Sequence, residues 1–166
     1  MSNVQDETQK PFEETTYKII GCAMRVHNKL GPGLKEVLYQ RALSVEMEEA
    51  GLPYEVERQV EIYIDDTFVG RLYLDHLVEE QVVVEEKALS HLLTQEEIAQ
   101  VITYLCATGL KVGLLLNFGR RRLEYKRIFP PKIVTQWQDR IRRYVWNPRD
   151  TVSAHPLPHP LTDHER

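Results

Sequence analysis

RLYLDHLVEEQVVVEEKA, residues 71–88, is the stretch on which the reading of this chain turns. Two β-rich runs, Phe68 to Val78 and Val82 to Ala88, flank the polar tip Glu79-Glu80-Gln81, and the spacing predicts a β-hairpin. Side chains alternate between faces along a strand, so Glu85 and Lys87 share one face. With the loop centred on Glu80, Asp75 falls opposite Glu85 on that face. Two carboxylates suit a hard divalent cation such as magnesium. A neighbouring lysine can orient or activate a water, or stabilise charge developing on a phosphorus centre. The plain alternative is a solvated strand face, since E-x-K is a common tripeptide. Val82, Val83 and Val84 weigh against it. They make the strand apolar on both faces, and charges at the end of a buried strand need a partner or a metal.

Outward from the hairpin, the pattern predicts a helix over Thr15 to Leu30 and a break at Gly31-Pro32-Gly33. A second helix spans about Leu34 to Ala50 and stops at Gly51 and Pro53. Strands cover Tyr54 to Ile64, with a turn at Asp65-Asp66, then the two hairpin arms. Thr94-Gln-Glu-Glu97 is a capping-box pattern opening a helix that closes at Gly109. Strands Lys111 to Phe118 and Leu123 to Phe129 follow, joined through Gly119-Arg-Arg-Arg122. The expected order is ααβββαββ, an α/β fold (α+β, mixed sheet). Residues 1–12 read as a disordered N-terminus and 13–130 as the domain. Residues 131–147 read as an amphipathic helix packed on it, and 148–166 as a Pro/His-rich flexible tail.

The segment Gly33-Leu-Lys-Glu36-Val-Leu-Tyr39 fits a G-x-x-E-x-x-Y signature. Together with ATGLKVGLLLNFG at 107–119 and LEYKRI at 123–128, it resembles the GxxExxY proteins of the PD-(D/E)XK nuclease superfamily. The resemblance runs from about Thr16 to Phe129. It implies a restriction-endonuclease-like αβββαβ core, here with an added N-terminal helix and a C-terminal helical extension. It further implies a nuclease dependent on Mg2+ or Mn2+ and acting on DNA, with RNA the lesser candidate. Carried over by position, Asp75 and Glu85 would hold the metal with the Glu86 carbonyl nearby, and Lys87 would serve the attacking water. Glu36 would support the site, directly or through water. Gln100 and Tyr104, four apart beside an apolar helix stripe, resemble the Q-x-x-x-Y motif of RecB-like members. Tyr39 reads as a packing residue whose hydroxyl makes a hydrogen bond. A protein that keeps the fold without turnover, or acts only with a partner, is the alternative.

Length and composition fit one soluble domain: 166 residues, 42% hydrophobic and 28% charged. The polar start and the short apolar runs predict a cytoplasmic protein without membrane attachment. Cys22 and Cys106 sit in helical apolar patterns and read as packed thiols. The net charge of −4 hides an asymmetry. Residues 1–110 carry 9 Lys+Arg against 20 Asp+Glu, whereas 111–149 carry 11 Lys+Arg against Glu124 and Asp139 alone. That segment suggests a phosphate-binding surface drawn from Arg120, Arg121, Arg122, Lys126, Arg140, Arg142 and Arg143. Trp137 and Trp146 suit either packing or a homo-oligomer interface. His27 reads as structural, and His155, His159 and His164 as tail residues. Finally, His76 and Glu86 are both polar where apolar residues are expected. Their diagonal register predicts a hydrogen-bonded pair beneath the catalytic face.

Overall fold

The computed structural model describes residues 10–130. The chain runs α1 (Lys10–Leu30), α2 (Glu36–Glu49), β1 (Tyr54–Ile64), β2 (Thr67–Val78), β3 (Val82–Lys87), α3 (Gln95–Thr108), β4 (Val112–Asn117) and β5 (Glu124–Ile128). This is the order the sequence predicts. The strands form one five-stranded sheet in the order β1-β2-β3-β4-β5. Among the described strands only β3 and β4 are parallel, joined through α3, and the other neighbouring pairs are antiparallel. The result is a mixed α/β fold with a helical layer on each face of the sheet. The expected C-terminal helix over 131–147, its Arg140, Arg142 and Arg143, and the tail lie outside the described residues.

Alternation along the central strands makes two cores. Val78, Val82, Val84, Leu114 and Leu116 pack under α1 and α2 with Ile19, Val26, Tyr39, Leu43 and Met47. Leu77, Val83 and Leu115 pack under α3 with Val101 and Leu105. β3 and β4 are buried on both faces, as parallel neighbours covered by helices must be. Gly113 permits the close seat of α3, because a Cβ there would lie 2.4 Å from Val101 Cγ1. Cys22 and Cys106 are free, buried thiols. Among the described residues no helix is long and apolar enough to cross a membrane.

One boundary differs from expectation. α1 begins at Lys10, with Phe12 partly buried against the core, so residues 10–12 are helical. Pro11 then falls in the first turn, where the N–H it lacks would have had no intrahelical acceptor. The reading of a capping box at α3 matches the structure: Thr94 Oγ1 accepts from the Glu96 amide, and the Glu97 carboxylate accepts from the Thr94 amide at 2.6 Å.

Candidate active site

The hairpin register follows the expected one. His76 faces Val84, Leu77 faces Val83 and Val78 faces Val82, so one step further brings Asp75 across from Glu85. The backbone ladder between β2 and β3 is not continued there, and side chains take over. The Asp75 amide donates to Glu85 Oε1 at 3.2 Å, and the Glu86 amide donates to Asp75 Oδ2 at 3.0 Å. Gln40 of α2 donates to the Asp75 carbonyl at 3.2 Å and, at the same distance, to Glu57 Oε1. Glu57 lies on β1 alongside Asp75 with φ 55°, a left-handed conformation costly for a residue with a Cβ. The sheet is thus locally opened where the two carboxylates meet, and both polar groups of the Asp75 main chain are satisfied by side chains.

Electrostatics follow from that burial. The Asp75 carboxyl is pushed up to about 7, first by burial and then by the Glu86 charge. Glu85 is raised well above the ordinary carboxylate range by burial and by its two acidic neighbours, Asp75 and Glu86. Such a pair is uncomfortable with two negative charges and no cation. Among the described residues, no three His, Cys, Asp or Glu side chains gather to hold a metal ion. Two carboxylates are nevertheless the donor set that suits magnesium, which keeps several waters and takes further oxygens from a phosphate substrate. The residues present fit a divalent cation on that ground.

Lys87 lies one turn of the pleat beyond Glu85, half-buried, and donates to Gln100 Oε1 at 2.8 Å. Gln100 in turn donates to the Tyr104 hydroxyl at 2.8 Å. The two motif residues of α3 therefore form one chain ending on the lysine. Burial and the Glu85 charge raise the Tyr104 phenol, which keeps it protonated. Glu36 sits half-buried in the first turn of α2, and its charge is felt at both Glu86 and Tyr104. The G-x-x-E-x-x-Y segment has a local cause. Gly33 holds φ 105°, open in practice only to glycine. The Tyr39 hydroxyl clamps the loop, donating to Gly31 O at 2.5 Å and accepting from the Leu34 amide at 3.1 Å. Its ring stacks on Phe118 with centroids 4.9 Å apart. Tyr39 is a packing residue that fixes the loop leading into α2.

Of the basic candidates, Lys126 shares the site's face. Glu85 pairs with Leu115, and Leu115 with Lys126, so the three lie in one row across β3, β4 and β5. Arg120, Arg121 and Arg122 form the β4–β5 loop, with Arg121 and Arg122 exposed. His27 of α1 reaches the Arg120 carbonyl at 2.7 Å, which tethers that loop and gives His27 a structural role.

Glu86 and His76 point to the other side of the sheet, fully buried, and they are hydrogen-bonded through Oε1 and Nδ1 as the register predicts. Burial pushes Glu86 up to about 8 and drives His76 down to about 4, so it favours the uncharged form of each. Sequence reasoning missed the residues that continue this pair. Ser44 Oγ lies 2.8 Å from His76 Nε2 and 3.3 Å from the Gln40 carbonyl. Nothing in α2's pattern distinguishes Gln40 and Ser44 from ordinary helix polar residues.

The chain belongs to the PD-(D/E)XK nuclease superfamily, whose family model matches residues 13–128. One similar solved structure is described as the crystal structure of SSO0001, at 21% identity and a TM-score of 0.46. The match covers 64% of this chain and 57% of that one. No curated protein matches the chain.

Proposed function

We propose that this protein is a metal-dependent nuclease that hydrolyses phosphodiester bonds in DNA, of the GxxExxY type within its superfamily. The observation that carries this reading is the juxtaposition of Asp75 and Glu85 where the β2–β3 ladder opens, with Lys87 two residues further along β3. Asp75 and Glu85, with the Glu86 carbonyl, would hold Mg2+ or Mn2+. Bound there, such an ion supplies Lewis acidity and a water of lowered pKa. Lys87, held by Gln100, is set to orient the attacking water and to offset negative charge on the reacting phosphate. The Asp75 and Glu85 carboxylates favour cation uptake because the cation offsets the repulsion between their charges, and their raised carboxyls release protons as it binds. Lys126 on the same face, with Arg121 and Arg122 on the neighbouring loop, would hold the phosphate backbone. Incubation with linear, circular and single-stranded DNA, with and without Mg2+ or Mn2+, tests the reading. Cleavage that needs the metal supports it. A protein that binds DNA without cutting it in either metal would instead be a non-catalytic member that keeps the fold.

A further inference from the structure

Glu86, His76, Ser44 and Gln40 form a continuous path beneath the site. The Glu86 carboxyl meets His76 Nδ1, His76 Nε2 meets Ser44 Oγ at 2.8 Å, and Ser44 Oγ donates to the Gln40 carbonyl at 3.3 Å. Gln40 then returns to β2 by donating to the Asp75 carbonyl at 3.2 Å, and Asp75 Oδ2 closes the circuit by accepting the Glu86 amide at 3.0 Å. The circuit spans β3, β2 and α2. It lies where backbone pairing between β2 and β3 has stopped, so main-chain bonds alone do not set the distance between Asp75 and Glu85.

We propose that Ser44, His76 and Glu86, closed by Gln40, act as positioning residues that replace the missing ladder and fix the separation of the Asp75 and Glu85 carboxylates. The proposal rests on reading that pair as the metal site. Glu86 occupies the middle of E-x-K, so any rotation of its backbone moves Glu85 and Lys87 together. Pairing with Leu116 of β4 holds one edge of that backbone, and anchoring its side chain to His76, and His76 to a helix, holds the edge toward β2, where the ladder has ended. The Ser–His–Glu order does not make Ser44 a nucleophile. It sits inside α2, where the neighbouring amides are committed to helix bonds and cannot stabilise an oxyanion. Hydrogen-bonded groups behind metal ligands change metal affinity or activity by about 10- to 100-fold.

The test uses the full chain and Mn2+ alone as the probe, with metal affinity, thermal midpoint and duplex DNA cleavage measured on each variant. His76→Leu/Glu86→Leu replaces the polar pair by apolar groups of similar bulk. We expect it to melt no lower than wild type, to bind Mn2+ about 10- to 100-fold more weakly, and to lose kcat with KM for DNA unchanged. Glu86→Gln, which can still bond to His76, is expected to keep affinity close to wild type. A double leucine variant that binds Mn2+ as tightly as wild type overturns the proposal and leaves the metal site standing. Wild type that binds no Mn2+ overturns both. Where the double variant fails to fold, Ser44→Ala decides. Weakened Mn2+ binding supports the circuit, and unchanged binding removes it.

Discussion

The Asp75 amide donates to the Glu85 carboxylate at 3.2 Å, a main-chain group of one candidate ligand held by the side chain of the other. That contact ties the two residues together at the point where the β2–β3 ladder ends. On the proposed reading, part of the ordering that a metal would otherwise impose is already present in the fold.

Neutral isosteres separate charge from shape. Asp75→Asn retains an oxygen for the Glu86 amide, and Glu85→Gln retains one for the Asp75 amide. Each variant is expected to melt at or above the wild-type temperature without metal, because each removes a buried acid. Each is also expected to lose cleavage and the rise in thermal midpoint that Mn2+ confers on wild type. Melting curves with and without Mn2+ check both halves.

The same carboxyls set a pH dependence. Asp75 at about 7 and Glu86 at about 8, with Glu85 also raised, bind protons in the folded state that the unfolded chain has released. Their contribution to stability is full at low pH and is lost as pH rises through those values. His76, lowered to about 4, works the other way, and its contribution is complete above its ordinary value near 6.5. Between about pH 6.5 and 8 only the carboxyl effect remains, so metal-free protein should lose stability across that window. Mn2+ should raise the thermal midpoint more at pH 8 than at pH 6.5. Calorimetry in two buffers of different ionisation heat should show proton release on metal uptake.

Lys87 touches neither carboxylate through a described hydrogen bond, so its loss should leave the cation in place. Lys87→Ala is expected to lower kcat by about 10²- to 10⁴-fold while Mn2+ affinity stays near wild type. Single-turnover cleavage paired with a metal titration distinguishes this from a collapse of the site.

Three exposed or half-exposed cations make the electrostatic test. Neutralising Arg121, Arg122 and Lys126 together should weaken DNA binding and reduce the slope of log K against log salt by about 2 to 3 for three lost phosphate contacts. A slope equal to wild type would assign these charges to solubility.

Gly119 is the sharpest steric prediction. A Cβ there would lie 2.4 Å from the Leu89 carbonyl oxygen and 2.5 Å from two further backbone atoms of Ala88 and Leu89. Gly119→Ala should cost about 1–3 kcal/mol or more, read from denaturant unfolding. It should also reduce activity, because the displaced segment begins one residue after Lys87.

How much of this was legible depends on how local each signal is. The hairpin register could be read because Glu79-Glu80-Gln81 leaves one centring that keeps Val78 and Val82 buried together. The His76–Glu86 pair could be read because two polar residues in apolar positions lie diagonal to each other in the register, within reach of a hydrogen bond. Gln40 and Ser44 could not, since their partners are 35 and 32 residues away in sequence. Glu57 was hidden too, because nothing in a glutamate announces a left-handed backbone. The start of α1 lies earlier than the expected Thr15, because the apolar spacing that marks the helix begins only at Ile19 while its first turns are largely polar.

The opened ladder also makes the main chain an indicator. In an ordinary sheet, an amide's hydrogen exchange reports how often two strands part. Here the Asp75 and Glu86 amides are held by carboxylates instead. Protonating or occupying those carboxylates changes the acceptor without moving a strand. Two backbone sites thus register the state of the side chains, so deuterium uptake at Asp75 and Glu86 can serve as a label-free gauge of how full the site is.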